Sequence, residues 1–464
     1  MSDQDRTPAK FCALLTDQTS GLFKNIPNAP ANISDRTCLR WMKFLGFHAT
    51  KASKGWFTDY HERVDIVQYR EEFLSVMEKL ERKMRHWIGE NLEIVHLPEL
   101  TTGEREVVLV THDESTFYCN EGLKLFWMEN GKKKLLPKSR GTSIMISGFM
   151  CPCHGFMSAC IRGETHKSYK TFEAGKGREG WFTNKDLNDQ FDACHELFRH
   201  FHPVENYDMW FAFDHSMTHK AKAPDGLDAS KLNKSDGGAS VVKQRDGWYD
   251  LSVNGVTERI VQKMQNDEGV QLGLHSILKA RGKLFLKLPD GQDSGHELKK
   301  VCNGCKNHTD KDDPTVTCCM FNVLSNEPDF LAQKSWLSET IEKYPGCFLF
   351  FYPKYHCELN FIEMVWGWIK SYHRNNCSYN YKDLKCGLPL TLDEILPIAF
   401  VRRAFNHCLR FMAGYRVGLT GAVLEYSVKK YKSHRRLSAC INLATLDLEY
   451  KTKKEEQMTF KRSK

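Results

Sequence analysis

Long apolar runs are missing from this chain. No stretch approaches the roughly 18 consecutive apolar residues that cross a bilayer, and the opening MSDQDRTPAK is too polar to begin a secretory signal. The expectation is an intracellular protein with no membrane partner. A disulfide framework is also missing: the 17 cysteines are odd in number and scattered along the chain, which favours reduced thiols and metal ligands over cross-links. Nor is there a strong charge imbalance. Lys and Arg number 66 against 58 Asp and Glu, a formal +8, which permits nucleic-acid binding without establishing it. What is present is 464 residues of ordinary globular composition, room for about three domains at roughly 150 residues each.

Three acids stand out against that background. VVLVTHDEST (107–116) is an apolar strand-type run that leads into Asp113, and DMWFAFDHSMTHK (208–220) is another that leads into Asp214. CFLFFY (347–352), bounded by Gly346 and Pro353, reads as a strand buried on both faces. It is followed by a helix in which Ile362, Val365, Trp366 and Ile369 recur at helical spacing and Glu363 lies in the first turns. Taken singly, such acids are turn or cap residues or helix-dipole partners. Taken together, they form a cluster that repels itself unless cations neutralise it, and hard oxygen ligands select magnesium or manganese. Two such ions about 4 Å apart activate a water or hydroxyl on one side of a phosphodiester and stabilise the leaving oxygen on the other.

THDES (111–115), FDHSMTH (213–219) and ELNFIEMVWG (358–367) resemble the three motifs of the mariner-like DDE transposases. The resemblance implies an α/β fold with a mixed sheet, an RNase H-like (integrase-like) catalytic domain, and DNA cutting and strand transfer with two Mg2+ or Mn2+ ions. It places Asp113, Asp214 and Glu363 on the metal-binding triad, Glu358 on the non-catalytic acid of the third motif, and His219 on the histidine of the second. Asp113 and Asp214 would share one ion, with Asp113 or Glu363 helping to hold the other. The implied partners are double-stranded DNA, both element ends and target, and a second copy of the chain in a dimer or larger synaptic assembly. The implied location is the nucleus of a eukaryote, or otherwise a DNA-associated place inside the cell. One departure is clear: 149 positions separate Asp214 from Glu363, where the family has a few dozen, so a subdomain is expected between them.

The expected division follows the chain. Residues 1–30 read as a disordered lead-in and 31–100 as a helical, helix-turn-helix-like DNA-binding and linker region. Within it ISDRTCLRWMKFLGF (33–47) begins on Ser34 as N-cap and carries Arg36, Arg40 and Lys43 on its outer face. The upstream helices of a complete paired DNA-binding region are not visible. A long helix is predicted over 61–90. The catalytic domain spans 101–215 and 347–380, with strands at 123–128 and 142–150 joined by a turn bearing Lys132, Lys133, Lys134, Lys138 and Arg140, and a crossover helix at 184–201.

The insertion spans 216–346. It reads as a Gly-, Asp- and Lys-rich surface loop, helices near 257–281 and 328–344, and a cysteine-rich stretch between them. There Cys302, Cys305, Cys318 and Cys319, with His308 as a substitute, are spaced for a structural zinc; free thiols are the alternative. The other cluster, CPCH (151–154), has poorer spacing and no distant partner pair. A basic helical region covers 381–450, with Arg402, Arg403, Arg410 and Arg416 expected on its exposed face and Lys429, Lys430, Lys432, Arg435 and Arg436 as a DNA strip, an import signal or solvated surface. A disordered tail follows at 451–464. Two readings compete with an active transposase: a domesticated descendant that binds DNA without transposing, and a zinc-stabilised interaction protein.

Overall fold

The computed structural model describes residues 8–17, 23, 26–30, 32–45, 60–123, 135–253, 256–287, 293–303, 318–431, 446–447 and 449–453. At its centre is a mixed sheet of β1 (Glu106–Tyr118), β2 (Ser143–Cys151), β3 (Gly155–Phe156), β4 (Tyr169–Phe172), β5 (Tyr207–Phe213) and β6 (Cys347–Phe351). The order across the sheet is β6-β5-β1-β2, with β3 and β4 pairing to successive parts of the outer edge of β2. β1, β2 and their outer neighbours are antiparallel, whereas β5 and β6 run parallel to β1. The expected strand at 123–128 cannot be compared, because residues 124–134 lie outside the described set.

Accompanying the sheet are α1 (Pro8–Thr16), α2 (Asp35–Phe44), α3 (Val64–Glu81), α4 (Asn184–Phe201), α5 (Trp336–Glu342), α6 (Phe361–Asn375), α7 (Ile398–Arg416) and α8 (Gly421–Lys430). Alternation along β1 assigns the layers. Val107 and Leu109 join a core with α3, α6 and α7, while Val108 and Val110 join the opposite core with α4 and α5. Helix α4 spans the expected residues. A capping box between Thr183 and Asp186 starts it, and Leu187, Phe191, Cys194, Leu197 and Phe198 form its buried face. Phe149, Phe191, Phe198, Phe211 and Phe213 are fully buried there, each ring contributing roughly 1.5–3 kcal/mol.

Several expectations need correction. The helix expected over 61–90 ends at Glu81. The chain then turns so that Lys83 accepts from the Val107 amide (2.9 Å), and a hairpin of His86–Ile88 with Ile94–His96 buries Trp87 under the Arg402 guanidinium. The expected lead-in contains α1, whose Leu15 is buried and whose Cys12 thiol donates to the Ile33 carbonyl (3.0 Å). Residues 257–281 are not one helix. Val256–Gln262 pairs antiparallel with Gly247–Val253, and only Leu274–Ala280 is helical. β-Branched Val256, Thr257, Ile260 and Val261 favour the strand, and Arg259 spans to the partner strand by stacking on Trp248 (3.6 Å) and bonding Asp250 (3.1 Å). The helix expected at 328–344 is broken into Pro328–Leu331 and α5, with Ser335 capping the second piece.

The Gly- and Lys-rich segment after β5 is not merely a surface loop. Leu227, Ala229 and Leu232 enter a third apolar core with Leu274, Ile277, Leu278, Leu324 and Phe330. That core also encloses the Arg281 guanidinium, which donates to both carboxylate oxygens of Asp329 (2.8 and 2.7 Å). In α7 the expected arginine face is largely occupied: Arg410 is buried, Arg416 donates to Glu81 (2.6 Å), Arg402 covers Trp87, and Arg403 alone of the four is exposed. Residues 451–453 are helical, and 454–464 lie outside the described set.

Candidate active site

Asp113 is not at a strand end. β1 continues to Tyr118, and Asp113 pairs with Gly148 of β2 in mid-strand. On the other side β1 and β5 are in parallel register, with Thr111 opposite Ala212. Two further steps align Asp113 with Asp214, the first residue beyond β5, on neighbouring strands about 4.8 Å apart. Glu363 arrives from α6. That helix is seated by Asn360, its N-cap, whose Oδ1 accepts from Thr111 Oγ1 (2.5 Å), and by Tyr352, whose hydroxyl donates to Thr111 Oγ1 (3.2 Å). One turn beyond Glu363, Trp366 Nε1 donates to Asp113 Oδ2 (3.0 Å), so residues three apart on one helix face lie over Asp113 together.

The electrostatics reflect that convergence. Burial, reinforced by the carboxylates of Glu363, Glu114 and Asp214, holds the Asp113 carboxyl well above the usual carboxylate range. Desolvation raises Glu363 too, with Lys370 opposing and Asp214 adding to the rise. Asp214 goes the other way: burial would raise it, but the bond to His219 Nδ1 (2.6 Å) and the Ser216 amide (3.1 Å) lower it. His219 is fully buried, and burial alone would lower its pKa. Asp214 and, 3.5 Å from Nε2, Glu114 raise it instead to about 10. It is therefore an imidazolium between two carboxylates at neutral pH.

Two neighbours were not found from the sequence. His112 and Glu114 flank Asp113 and, by strand alternation, lie on the opposite face of β1. His112 Nε2 meets Ser147 Oγ (2.8 Å), whose hydroxyl donates to Gln190 Oε1 (2.6 Å), and burial pushes His112 down to about 3. Glu114 is lowered because His219 and His112 outweigh its burial. The alternation within THDES was the available signal.

The donor chemistry fits hard cations. Asp113, Asp214 and Glu363 are near enough to influence one another electrostatically, and two of them, Asp113 and Glu363, are raised by desolvation with added repulsion from other acids. The three do not form a tight knot. Among the described residues no set of donor atoms within 4.8 Å of one another contains all three acids, and the tight set at this end is His112, Glu114 and His219. Glu358 is separate. Its buried carboxylate accepts from Tyr415 (2.7 Å) and meets His356 Nδ1 (2.7 Å) and His61 Nε2 (3.2 Å). Burial would raise it, but these contacts bring it down to about 2.

The cysteine-rich stretch is partly in view. Cys302, Cys318 and Cys319 gather their thiols within 4.8 Å, and Cys305 and His308 lie outside the described residues. Of the basic candidates, Arg36, Arg40 and Lys43 are exposed on α2. Its buried residues are Cys38 and Met42, while Leu39, Trp41 and Leu45 are exposed. Lys138 and Arg140 are exposed, Arg140 lying over the Tyr118 ring (4.7 Å). Lys429 and Lys430 are engaged by Glu425 and Glu449. Lys132, Lys133, Lys134, Lys432, Arg435 and Arg436 lie outside the described residues.

No family model matches the chain, and no curated protein does. Among solved structures it is similar to a pre-cleavage Mos1 transpososome, at 12% identity over 46% of this chain and 54% of that one, TM-score 0.26. It is also similar to the Mos1 mariner paired end complex with Mn, at 11% identity over 40% and 46%, TM-score 0.26. A third is the corresponding complex with Mg, at 14% identity over 47% and 68%, TM-score 0.19. The chain thus spans about half the length of the first of these structures.

Proposed function

We propose that this chain is a metal-dependent DNA-cutting and DNA-joining enzyme of the DDE transposase type, with Asp113, Asp214 and Glu363 as its cation-binding acids. The observation that carries the reading is the alignment of Asp113 with Asp214 across β1 and β5, with α6 adding Glu363 and the Trp366 bond to Asp113. A sheet of three antiparallel strand positions followed by two parallel ones, with one acid on the central strand and one just beyond the end of the next, supports an RNase H-like catalytic domain. The separate core formed by residues 227–330 supports an inserted subdomain.

When bound, two magnesium or manganese ions supply an activated water or 3′ hydroxyl and a stabilised leaving oxygen. The chain's own part is placement. Trp366 orients Asp113 through Oδ2. His219 and the Ser216 amide orient Asp214 through Oδ1. The His219 charge, set between Asp214 and Glu114, keeps Asp214 ionised in a field that raises its neighbours. DNA would approach this open carboxylate end, and a second copy of the chain would complete a synaptic pair.

The test is nicking of supercoiled DNA by the purified chain with and without Mn2+ or Mg2+. Cutting that needs the ion and disappears in Asp214→Asn is the expected result. DNA binding with no cutting under any divalent ion would replace this reading with that of a binding protein.

A further inference from the structure

The CPCH cluster has the distant partner that its spacing did not reveal. β2 ends at Cys151, and the chain reverses through Pro152, Cys153 and His154 into Gly155, whose φ of 71° is the left-handed conformation that glycine tolerates. The reversal returns Cys153 and His154 toward Cys151. The C-cap of α4, His202, meets them there, fixed by its amide donating to the Phe198 carbonyl (2.9 Å). One ligand atom from each of Cys151, Cys153, His154 and His202 lies within 4.8 Å of all the others.

We infer that these four side chains form a tetrahedral Cys2His2 zinc site, which ties the β2–β3 turn to the end of α4. Zinc–sulfur bonds of about 2.3 Å and zinc–nitrogen bonds of about 2.0 Å at tetrahedral angles place sulfur and nitrogen roughly 3.5 Å apart. Cys151 Sγ is 3.8 Å from His154 Nδ1 and 3.9 Å from His202 Nε2, so small side-chain shifts close the shell.

Burial separates this arrangement from a chance meeting of thiols and rings. Cys151 is 0% and His202 1% exposed. The polar contact of His202 Nε2 is the Cys151 sulfur, and Nδ1 has no hydrogen-bond partner among the described residues. A buried imidazole Nε2 and a buried thiol that meet only at 3.9 Å are poorly satisfied, which is costly, whereas a zinc between them would engage both Nε2 and Sγ. Both cysteines are free thiols, as ligation requires. Arg402 donates to the carbonyls of Pro152 and Cys153 (3.4 Å each), bringing a cation beside the two sulfurs. His154 packs on Phe201 (4.5 Å between ring centres), which limits water on that side.

This site is separable from the carboxylate end. Cys151 is three positions along β2 from Gly148, the residue opposite Asp113, a distance of about 10 Å. Its ligands are soft, whereas the acids are hard. The role is structural: α4 leads directly into β5, so tethering its end to β2 fixes the sheet that carries both aspartates.

The experiment is zinc analysis of the full chain purified without added metal, for wild type, His154→Asn and Cys302→Ser. His154 is exposed, so its replacement does not empty the core. The expected result is one zinc per chain fewer in His154→Asn than in wild type, with Co2+-loaded wild type showing a tetrahedral two-thiolate spectrum that His154→Asn lacks. Cys302→Ser keeps that spectrum. Equal zinc in wild type and His154→Asn, or a cobalt spectrum indifferent to His154, would overturn the assignment. Because no reading depends on DNA cutting, the result is independent of the proposed activity.

Discussion

Glu358 and Glu363 stand five residues apart in sequence and meet opposite surroundings. Glu358 is buried among His61, His356 and Tyr415, and those contacts hold its carboxyl down at about 2. Glu363 keeps an open edge, and its carboxyl is raised by desolvation with Asp214 adding repulsion; Asp113, below it, is raised further. The protein compensates the charge of the first acid through Oε1, while Oε2 has no hydrogen-bond partner among the described residues. The other two are raised by burial and by neighbouring carboxylates, as the proposed cation ligands would be. A motif with two glutamates thus contains one that is tied into a buried network and one that, on the proposed reading, would take a cation.

Breaking the ligand side of that contrast has the largest expected effect. Asp113→Asn, Asp214→Asn and Glu363→Gln are each expected to lower divalent-ion-dependent nicking by at least about 100-fold, since even outer-shell changes at metal sites cost roughly 10–100-fold. DNA affinity, measured by filter binding, stays level or rises, because a negative charge near phosphate is lost.

Breaking the satisfied side costs stability instead. Glu358→Gln removes the anion from a buried network and is expected to cost roughly 3 kcal/mol in denaturant unfolding. The pH dependence has a definite sign. A carboxyl lowered from 4.5 to about 2 contributes stability that is present above about pH 4.5 and lost as the pH falls toward 2, about 3 kcal/mol in all. His356, lowered by burial, acts in the same direction at somewhat higher pH. Acid unfolding of Glu358→Gln should therefore be flatter between pH 4.5 and 2 than that of wild type.

His219 sharpens the contrast from the cationic side. Its pKa is raised from 6.5 to about 10, so its contribution is complete below pH 6.5 and lost as the pH rises through 10. His219→Gln should flatten that alkaline loss in thermal melts and reduce nicking by roughly 10–100-fold, by releasing the orientation of Asp214. The smallest effect belongs to Trp366→Phe. It deletes one hydrogen bond to Asp113, worth about 1.5 kcal/mol to a charged acceptor, and removes volume from the core where Trp366 is buried, so it should lower nicking several-fold and the melting temperature modestly.

Much of this site was legible because its elements are strongly patterned. The strands before Asp113 and Asp214 are unbroken apolar runs, and α4 has both its cap and its stripe written in sequence. The grouping of the three acids rests on motif resemblance, and the register of β1 and β5 bears on Asp113 and Asp214 alone. Less legible were features that depend on distance in sequence. His202 lies 48 residues beyond His154 with no spacing signature to link them. The Gly247–Gln262 hairpin was hidden because Glu258 and Arg259 interrupt its β-branched run and imitate a charged helix face. The arginines of α7 looked exposed by periodicity alone, yet Glu81 and Trp87 arrive from more than 300 residues away to engage two of them.

The claim at the centre of this account is the proposal that Asp113, raised by burial and neighbouring carboxylates, is an acid that a cation completes. Thermal unfolding of wild type and Asp113→Asn, in chelator and then in Mn2+, tests it directly. A carboxyl raised above its unfolded value loses stability as the pH rises through its folded pKa, so at neutral pH without metal Asp113→Asn should melt above wild type. Mn2+ should raise the melting temperature of wild type and leave the variant nearly unmoved. If the variant melts lower in chelator, or if Mn2+ stabilises both equally, Asp113 is not the cation-binding acid that this fold positions.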